Sequence, residues 1–524
     1  MNISLASRII TDLTHRGVKT FCLCPGGRSA PFVEVLSQSK GLEILSFFEE
    51  RSACFFALGR TKRDLCPTAV ITTSGTAVAE LLPGVIESHY NHLPLVLITA
   101  DRPFGYGKKG APQTLKDPLE IFTPYTAFSV NIFEINDLHQ LKNWSAEKGS
   151  VHLNVAFDIP LVDESIPSLN LSPSSLPSLY PKKFMKTSDS KWENFFHSCQ
   201  KPLLLVGELK KEEVESVQTL LENYSGAIFT EPLSQLQFIK NRLTSGENIL
   251  TYAWNRKAID GVIRLGGIPR TRFWRDLEKS SLPVLNLSSP PFYSGLYKDS
   301  FHSPLLKSLP SLSQHLSSLK PKCEDLKRTD QQLSKKWLEI LKLHPLSEPH
   351  WIWRLKQALP QNSKVFLGNS LPIRVWDLVS LNRDTHCNIT GQGGVNGIDG
   401  LISRFLGECE SSQENWAFLG DLSALYDMQG LWISHKVPPW TLVIINNSGG
   451  QIFSRLHSNP AFLNQHSLSF APLTKMWGLD YEFYSNPQEF HFTKTTKPRL
   501  IEIKPDNQAT TQCFQAYESL FPGK

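Results

Sequence analysis

Three α/β domains, each built on a doubly wound parallel sheet, are the fold this sequence predicts, and three observations predict it. Short apolar runs of strand length alternate with amphipathic stretches along the chain, the rhythm of strand–helix–strand units whose sheets are covered on both faces. Two stretches rich in Pro, Ser and Lys, 166–190 and about 303–325, interrupt that rhythm and look like crossings between domains. The 524 residues also suit two to four domains at roughly 100–200 residues each.

The first domain is expected over 1–175, with strands at FCLC (21–24), ILSF (44–47), TAVITT (68–73), LVLITA (95–100) and VHLNVAF (151–157). Its opening stretch, MNISLASRIITDLTHRG, has apolar residues at helical spacing with Arg8 and Asp12 opposite. That pattern predicts an amphipathic helix rather than a leader with a basic start, apolar centre and cleavage site. Between Thr76 and Tyr90, residues Ala77, Val78, Leu81, Leu82, Val85 and Ile86 share a helical face, and Pro83 should kink that helix. The central domain, 190–320, has strands expected at PLLLVGEL (202–209), GAIF (226–229), GVIRLGG (261–267) and PVLNL (283–287). After a helix over 327–343 comes the third domain, 345–524, with strands at VFLG (365–368), HCNIT (386–390), WAFLGD (416–421), TLVIINN (441–447) and RLIEI (499–503). The outer domains share their rhythm without sharing sequence, as a duplicated fold would.

Composition narrows the function classes. With 40% hydrophobic and 20% charged residues, 31 Gly and 35 Pro, the chain is neither collagenous nor disordered. No run approaches the ~18 uncharged apolar residues of a membrane span, so no membrane insertion is expected. The formal charge is +5 with a pI near 8.6, and no run of five or more Lys and Arg is present. Nucleic acid is therefore not the expected partner, while small acidic substrates remain open. Nine scattered cysteines, of which only Cys22 and Cys24 are close, lack the second pair of a zinc site and suit buried thiols in the cytoplasm.

Four stretches carry chemistry. In GDLSALYDMQGLW (420–432) and TLVIINNSGGQIF (441–453), Asp421 and Asn447 follow two strands. If those strands are neighbours in a parallel sheet, both side chains leave its carboxyl edge, where open α/β sheets bind ligands. Asp421, the Asn447 amide oxygen and a carbonyl near Gly449 would suit Mg2+, which takes hard oxygen donors and shares its shell with phosphate and water. Read singly, Asp421 is a helix cap and NNSGG a turn; together they match the glycine-aspartate and paired-asparagine pattern of thiamine diphosphate enzymes. CLCPGGRSAPF (22–32) places Arg28 at a strand-to-helix turn, and SFFEERSACFFALG (46–59) places Glu50, with Glu49 its competitor, at a helix entry. A thiamine cofactor needs a carboxyl group against its aminopyrimidine ring, which favours Glu50 over a plain helix-entry charge. The stretch 69–117 offers a Ser-Gly-Thr turn, Arg102 directly after a strand, and Gln113. VFLGNSLPIRVWD (365–377) joins a strand to Ser370 and Arg374 at a helix start, a ready anion site, and GQGGVNGIDGLISRFLG (391–407) holds Ile398 in a glycine-flanked turn.

On PGGRSAP, FEERSACFFALG, ITTSGTAVAELLPGVIESHY, TADRP, FLGNSLPIR, NGIDGLIS, GDLSALYD and NNSGGQIF, the chain resembles the 2-succinyl-5-enolpyruvyl-6-hydroxy-3-cyclohexene-1-carboxylate synthases, thiamine-diphosphate enzymes of menaquinone biosynthesis. The motifs span both outer domains; the central one matches mainly through RLGGIPRTRFW (264–274). The resemblance implies a pyrimidine-binding first domain and a diphosphate-binding third, and a homodimer or homotetramer with each cofactor between two chains. It makes Glu50 the cofactor-activating acid and assigns the Mg2+ (or Mn2+) to Asp421, Asn447 and Gly449. Ile398 becomes the prop that bends the cofactor, with Gly420, Leu422 and Ser423 beside its diphosphate and Gln113 near cofactor and substrate. Arg28, Arg102, Arg272, Ser370 and Arg374 would bind substrate, with Ile452, Phe453 and Leu456 lining the pocket. The implied reaction decarboxylates 2-oxoglutarate and adds the succinyl unit to isochorismate; both substrates are dicarboxylates, which suits several arginines.

Four positions depart from the pattern. Gly27 stands where the family has Ser, Pro112 where it has Asn, Gly393 where it has Arg, and Phe273 where a second basic residue is common. A lost charge-assisted contact is worth ~1.5–3 kcal/mol, or about tenfold to a hundredfold in affinity, and Gln392 is expected to replace the arginine in part. Two other readings fit the same residues: a thiamine-diphosphate carboligase or decarboxylase acting on a small 2-keto acid, and a cofactor-binding relative without turnover.

Overall fold

The computed structural model of the chain describes residues 1–103, 105–174, 189–290, 292–298, 300–319, 321, 323–381, 386–457 and 459–522. Residues 175–188 of the first expected crossing lie outside these. Among the described residues the strands form three sheets in which all pairs are parallel. The first comprises β1 (Thr20–Leu23), β2 (Glu43–Ser46), β3 (Thr68–Thr72), β4 (Leu95–Asp101), β5 (Phe128–Ile132) and β6 (Val151–Ala156), in the order β2-β1-β3-β4-β6-β5. The second comprises β7 (Pro202–Val206), β8 (Ala227–Thr230), β9 (Gly261–Leu265), β10 (Val284–Ser288) and β11 (Phe301–Pro304), in the order β11-β10-β9-β7-β8. The third comprises β12 (Lys364–Leu367), β13 (Asn388–Gly391), β14 (Asn415–Gly420), β15 (Trp440–Ile445), β16 (Asp480–Tyr484) and β17 (Arg499–Ile503), in the order β13-β12-β14-β15-β17-β16. Central strands such as β3, β7 and β15 are buried along their whole length, as sheets covered on both faces require.

Each sheet has one strand that the apolar runs did not reveal: β5, β11 and β16, all at sheet edges. FSVNI, FHSP and DYEFY are only partly buried, because an edge strand faces fewer neighbours and needs fewer apolar residues. The helix expected over 76–90 is two helices, Thr76–Glu80 and Leu82–Asn91, with Pro83 in the first turn of the second. The second Pro/Ser-rich stretch is largely not a crossing. It contains the end of β11 and the helix Leu305–Ser318, whose Leu305, Leu309, Leu312 and Leu316 are buried at helical spacing despite Pro310.

Contacts divide the chain into two compact units. One takes described residues of 1–182 together with 394–411 and 423–439; the other takes those of 183–393, 412–422 and 440–524. In the first unit, the N-terminal helix Asn2–His15 buries Ile3, Leu5, Ile9, Ile10 and Leu13 in the core of the first sheet. Helix Leu401–Glu408 lies against helix Glu50–Asp64, backbone to backbone: a Cβ on Gly59 would stand 2.1 Å from the Arg404 carbonyl oxygen, and one on Gly407 2.2 Å from that of Phe56. Fully buried Arg404 completes the joint, 3.4 Å from Glu87 Oε1 and 3.3 Å from Glu408 Oε1. Glu87 also accepts hydrogen bonds from the Gly394 and Val395 amides at 2.9 and 2.8 Å. In the second unit, one continuous apolar core runs beneath the second and third sheets, from Leu203 to Phe521.

Candidate active site

In the first unit the end of β3 is the hub. Thr72 donates to Glu50 Oε1 at 3.3 Å. Thr73 packs on Gly26, where a Cβ would come within 2.6 Å, and its hydroxyl accepts from the Arg28 amide at 3.3 Å. Gly75, at φ +79, lies against Gln113, whose Cα would be 3.0 Å from a Cβ there. The Thr-Thr-Ser-Gly run at the end of β3 thus touches Glu50, Arg28 and Gln113. Glu49 and Glu50, which alternation left open, have different surroundings. Glu49 caps the helix, accepting from the Ser52 amide at 2.8 Å and from the Ser52 hydroxyl, whereas burial pushes the Glu50 carboxyl above the usual carboxylate range, against hydrogen bonds from its own backbone amide and Thr72.

Arg28 donates to the Phe157 carbonyl at 3.0 Å, and burial, then the neighbouring Arg102, lower its pKa. Arg102 Nε donates to the Pro112 carbonyl at 3.3 Å, so this contact uses backbone and does not depend on the side chain at 112. Gly27 has open space around it and no positive φ, so sterics do not require glycine there. Ile398 sits in the bend before helix Leu401–Glu408, and Ser423 is buried.

In the second unit β14 and β15 are parallel neighbours, Gly420 opposite Ile445, and their following loops meet. Asp421 Oδ1 accepts from the Leu422 amide at 2.6 Å and Oδ2 from the Gly449 amide at 2.9 Å. Burial raises the Asp421 pKa against these bonds and the nearby His466, whose Nε2 is 3.2 Å from Oδ2. The Leu468 amide donates to His466 Nδ1 at 3.2 Å. Asn447 Nδ2 donates to Glu348 Oε2 at 2.8 Å, and Asn447 Oδ1 is buried without a hydrogen-bond partner. Its neighbour Asn446 is spent on the Leu468 carbonyl and Glu502. Gly449 has φ +132, and a Cβ would lie 2.4 Å from the Leu463 carbonyl oxygen, so the loop needs glycine here. Sequence reasoning missed Glu348. Buried, with its pKa pushed up to about 7, it orients Asn447 from 99 residues away, yet in sequence it is only an acid in the first turn of a helix.

The same unit carries an open cavity of about 350 Å³. Five of the expected substrate residues line it: Arg272, Arg374, Ile452, Phe453 and Leu456. Ser370 is absent from the lining, but its carbonyl accepts from Arg374 Nη1 at 2.8 Å. Phe273 is buried in the core, 1% exposed and edge-on to Trp254, so the side chain that departs from the pattern faces away from the cavity. Gln392 is buried too, and its carbonyl accepts from Arg270. Arg270, Arg275 and Arg455 are cavity arginines that the motifs had not singled out.

Comparison with known proteins defines the family. The family model for thiamine pyrophosphate enzymes, N-terminal TPP binding domain, matches residues 3–121, and with three parallel-sheet domains it defines the class as thiamine-diphosphate enzymes. A 2-succinyl-5-enolpyruvyl-6-hydroxy-3-cyclohexene-1-carboxylate synthase of Bdellovibrio bacteriovorus is 37% identical over 99% of both chains. Synthases of the same name from Akkermansia muciniphila, 29% identical over 97% of both chains, and Oceanobacillus iheyensis, 28% identical over 97% of this chain and 96% of the other, also match. The chain belongs to this synthase family.

Proposed function

We propose that the protein decarboxylates 2-oxoglutarate and joins the succinyl unit to isochorismate, giving 2-succinyl-5-enolpyruvyl-6-hydroxy-3-cyclohexene-1-carboxylate for menaquinone biosynthesis. The observation that carries this reading is the cavity of the second unit, where five arginines share the lining with Ile452, Phe453 and Leu456, a surface suited to dicarboxylates with an apolar middle. Arg272 and Arg374 would hold substrate carboxylates there, with Ser370 beside Arg374; the family resemblance gives Arg28, Arg102 and Gln113 a part in substrate binding as well. Holding reactants in register is the chain's main contribution to rate.

Thiamine diphosphate, when bound, supplies the electron sink that decarboxylation of a 2-keto acid needs. Glu50 would hold or release a proton at the aminopyrimidine ring, a task suited to a carboxyl whose pKa burial raises above the usual carboxylate range. The donors near Asp421 fit Mg2+ or Mn2+. They are hard oxygens, and buried Asn447 Oδ1 has no other partner. Asp421, Asn447 Oδ1 and the Gly449 carbonyl would hold the ion, Gly420, Leu422 and Ser423 would border the diphosphate, and Ile398 would prop the cofactor. We further propose a homodimer, alone or paired into a tetramer, in which Glu50 of one subunit and Asp421 of the other serve one cofactor. The free, mostly buried cysteines favour a cytoplasmic location; among the described residues no helix is long and apolar enough to cross a membrane.

The test is direct. Purified protein with thiamine diphosphate and Mg2+ should consume isochorismate only when 2-oxoglutarate is present, and the product mass should be that of the succinyl adduct. Consumption of pyruvate in place of 2-oxoglutarate would assign the protein to another carboligase, and cofactor binding without any keto-acid turnover would make it a non-catalytic relative.

A further inference from the structure

Arg270 is a buried cation in the cavity wall to which neither the motifs nor the family resemblance gives a role. Its side chain is 9% exposed. Nη2 donates to the Gln392 carbonyl at 3.2 Å and stands 3.9 Å from Glu208 Oε2, while Nε is buried without a hydrogen-bond partner. A guanidinium presents its donors in a fixed fork that matches a carboxylate, and a buried donor left unmet is costly. The hydroxyl of Thr271, next to it on the same lining, is also buried without a partner. The loop is pinned from behind, since the Arg270 and Thr271 amides both donate to Glu231.

Position 393 belongs to the same arrangement. A Cβ on Gly393 would lie 2.7 Å from Arg270 Nη2 and 2.5 Å from Glu208 Oε2, so the guanidinium takes the room that a side chain at 393 would need. The charges around it call for an anion. Partial enclosure, opposed by Glu247, and then the Arg275 and Arg270 guanidiniums act on Arg374, and the net effect is a lowered pKa. Of the acids on the lining, Glu231 and Asp377 are pushed up by burial to about 7 and about 8, Glu518 is paired with Arg455, and Glu247 accepts from the Arg272 amide. Repelling cations with weakened counter-charges are balanced when an anionic ligand enters.

We propose that Arg270 binds the side-chain carboxylate of 2-oxoglutarate through its guanidinium, and so selects a dicarboxylate over a monocarboxylate 2-keto acid. This rests on the proposed function. The experiment compares wild type, Arg270→Lys and Arg270→Gln, each loaded with thiamine diphosphate and Mg2+. Arg270→Gln should raise the KM for 2-oxoglutarate by about tenfold to a hundredfold, the worth of one charge-assisted contact, with kcat and the KM for isochorismate changing far less. Arg270→Lys should fall between, since an ammonium lacks the fork. Binding of glutarate, a dicarboxylate without the keto group, should weaken in parallel by calorimetry, and Gly393→Arg added to Arg270→Gln should restore it in part. A KM for 2-oxoglutarate and a glutarate affinity both within twofold of wild type would overturn the assignment, as would a rise confined to the KM for isochorismate; a lowered Tm with unchanged KM would make Arg270 a packing residue only. If wild type shows no turnover, the proposed function fails by itself, and loss of glutarate binding in Arg270→Gln still decides the role of Arg270.

Discussion

Adjacent acids make the sharpest contrast at the scale of the residue. Glu50→Gln keeps shape but removes the titrating group, and turnover should fall by about 10²- to 10⁴-fold, the usual worth of a positioned acid or base, with Tm little changed. Glu49→Ala should do the reverse, lowering stability by ~0.5–2 kcal/mol through loss of the helix cap while kcat is retained. Steady-state kinetics beside thermal melts checks both, and a Glu49 variant with the larger kinetic defect would reverse the assignment. Asp377 provides a test by pH. Burial, then Glu231, raises its pKa to about 8, so between the ordinary carboxylate range and about 8 the folded state holds a proton that the unfolded chain has lost. Stability from this group therefore declines as pH rises through that window, by ~1.4 kcal/mol for each unit of fully expressed shift. Asp377→Asn should gain Tm relative to wild type at pH 8 and little at pH 5; an equal difference at both pH values would contradict it. Single residues also mark the limit of sequence reading. Asp421 and Asn447 were legible because each lies within two residues of the end of a strand, whereas Glu348 and Arg270 reach their places only through tertiary packing and carry no local pattern.

At the scale of the element, the helix that begins at Glu50 is held by close contact rather than by side-chain interdigitation. Gly407→Ala would push a methyl into the Phe56 carbonyl and should cost about 1–3 kcal/mol, as overpacking does; because the joint lies on the helix that presents Glu50, thiamine diphosphate affinity should fall with it. Removing Arg404 leaves Glu87 and Glu408 buried without their cation, and Arg404→Met should destabilise by ~3–5 kcal/mol, read by denaturant melts. A loss below 1 kcal/mol in either variant would show that the joint is not structural. Elements were legible to the extent that they are buried on both faces. Continuous apolar runs marked the central strands, while β5, β11 and β16 escaped notice because an edge strand such as Asp480–Tyr484 breaks its apolar run with charged residues, here Asp480 and Glu482. Helix Leu305–Ser318 was hidden by its Pro and Ser content although its leucines repeat at helical spacing.

For the whole molecule, the proposed dimer places two chains around each cofactor. Glu50→Gln and Asp421→Ala proteins, each inactive alone, should regain part of the activity when their subunits are mixed and exchanged, because one kind of site in the mixed dimer then carries both native residues. Absence of complementation despite proven exchange, or full activity in a strictly monomeric species by sedimentation, would rule the shared site out. Sequence motifs spoke to the outer sheets, where site residues sit at strand ends, but not to the way residues 394–411 and 423–439 join the first sheet's unit, since contact between distant segments leaves no periodic trace. The decisive measurement follows the carbon atoms of 2-oxoglutarate labelled at C1 or at C2 with isochorismate, thiamine diphosphate and Mg2+ present. The C1 label should leave as carbon dioxide and the C2 label should appear in an adduct of isochorismate, one for one; retention of C1 in the product, or loss of carbon dioxide without consumption of isochorismate, would contradict the proposed decarboxylating transfer.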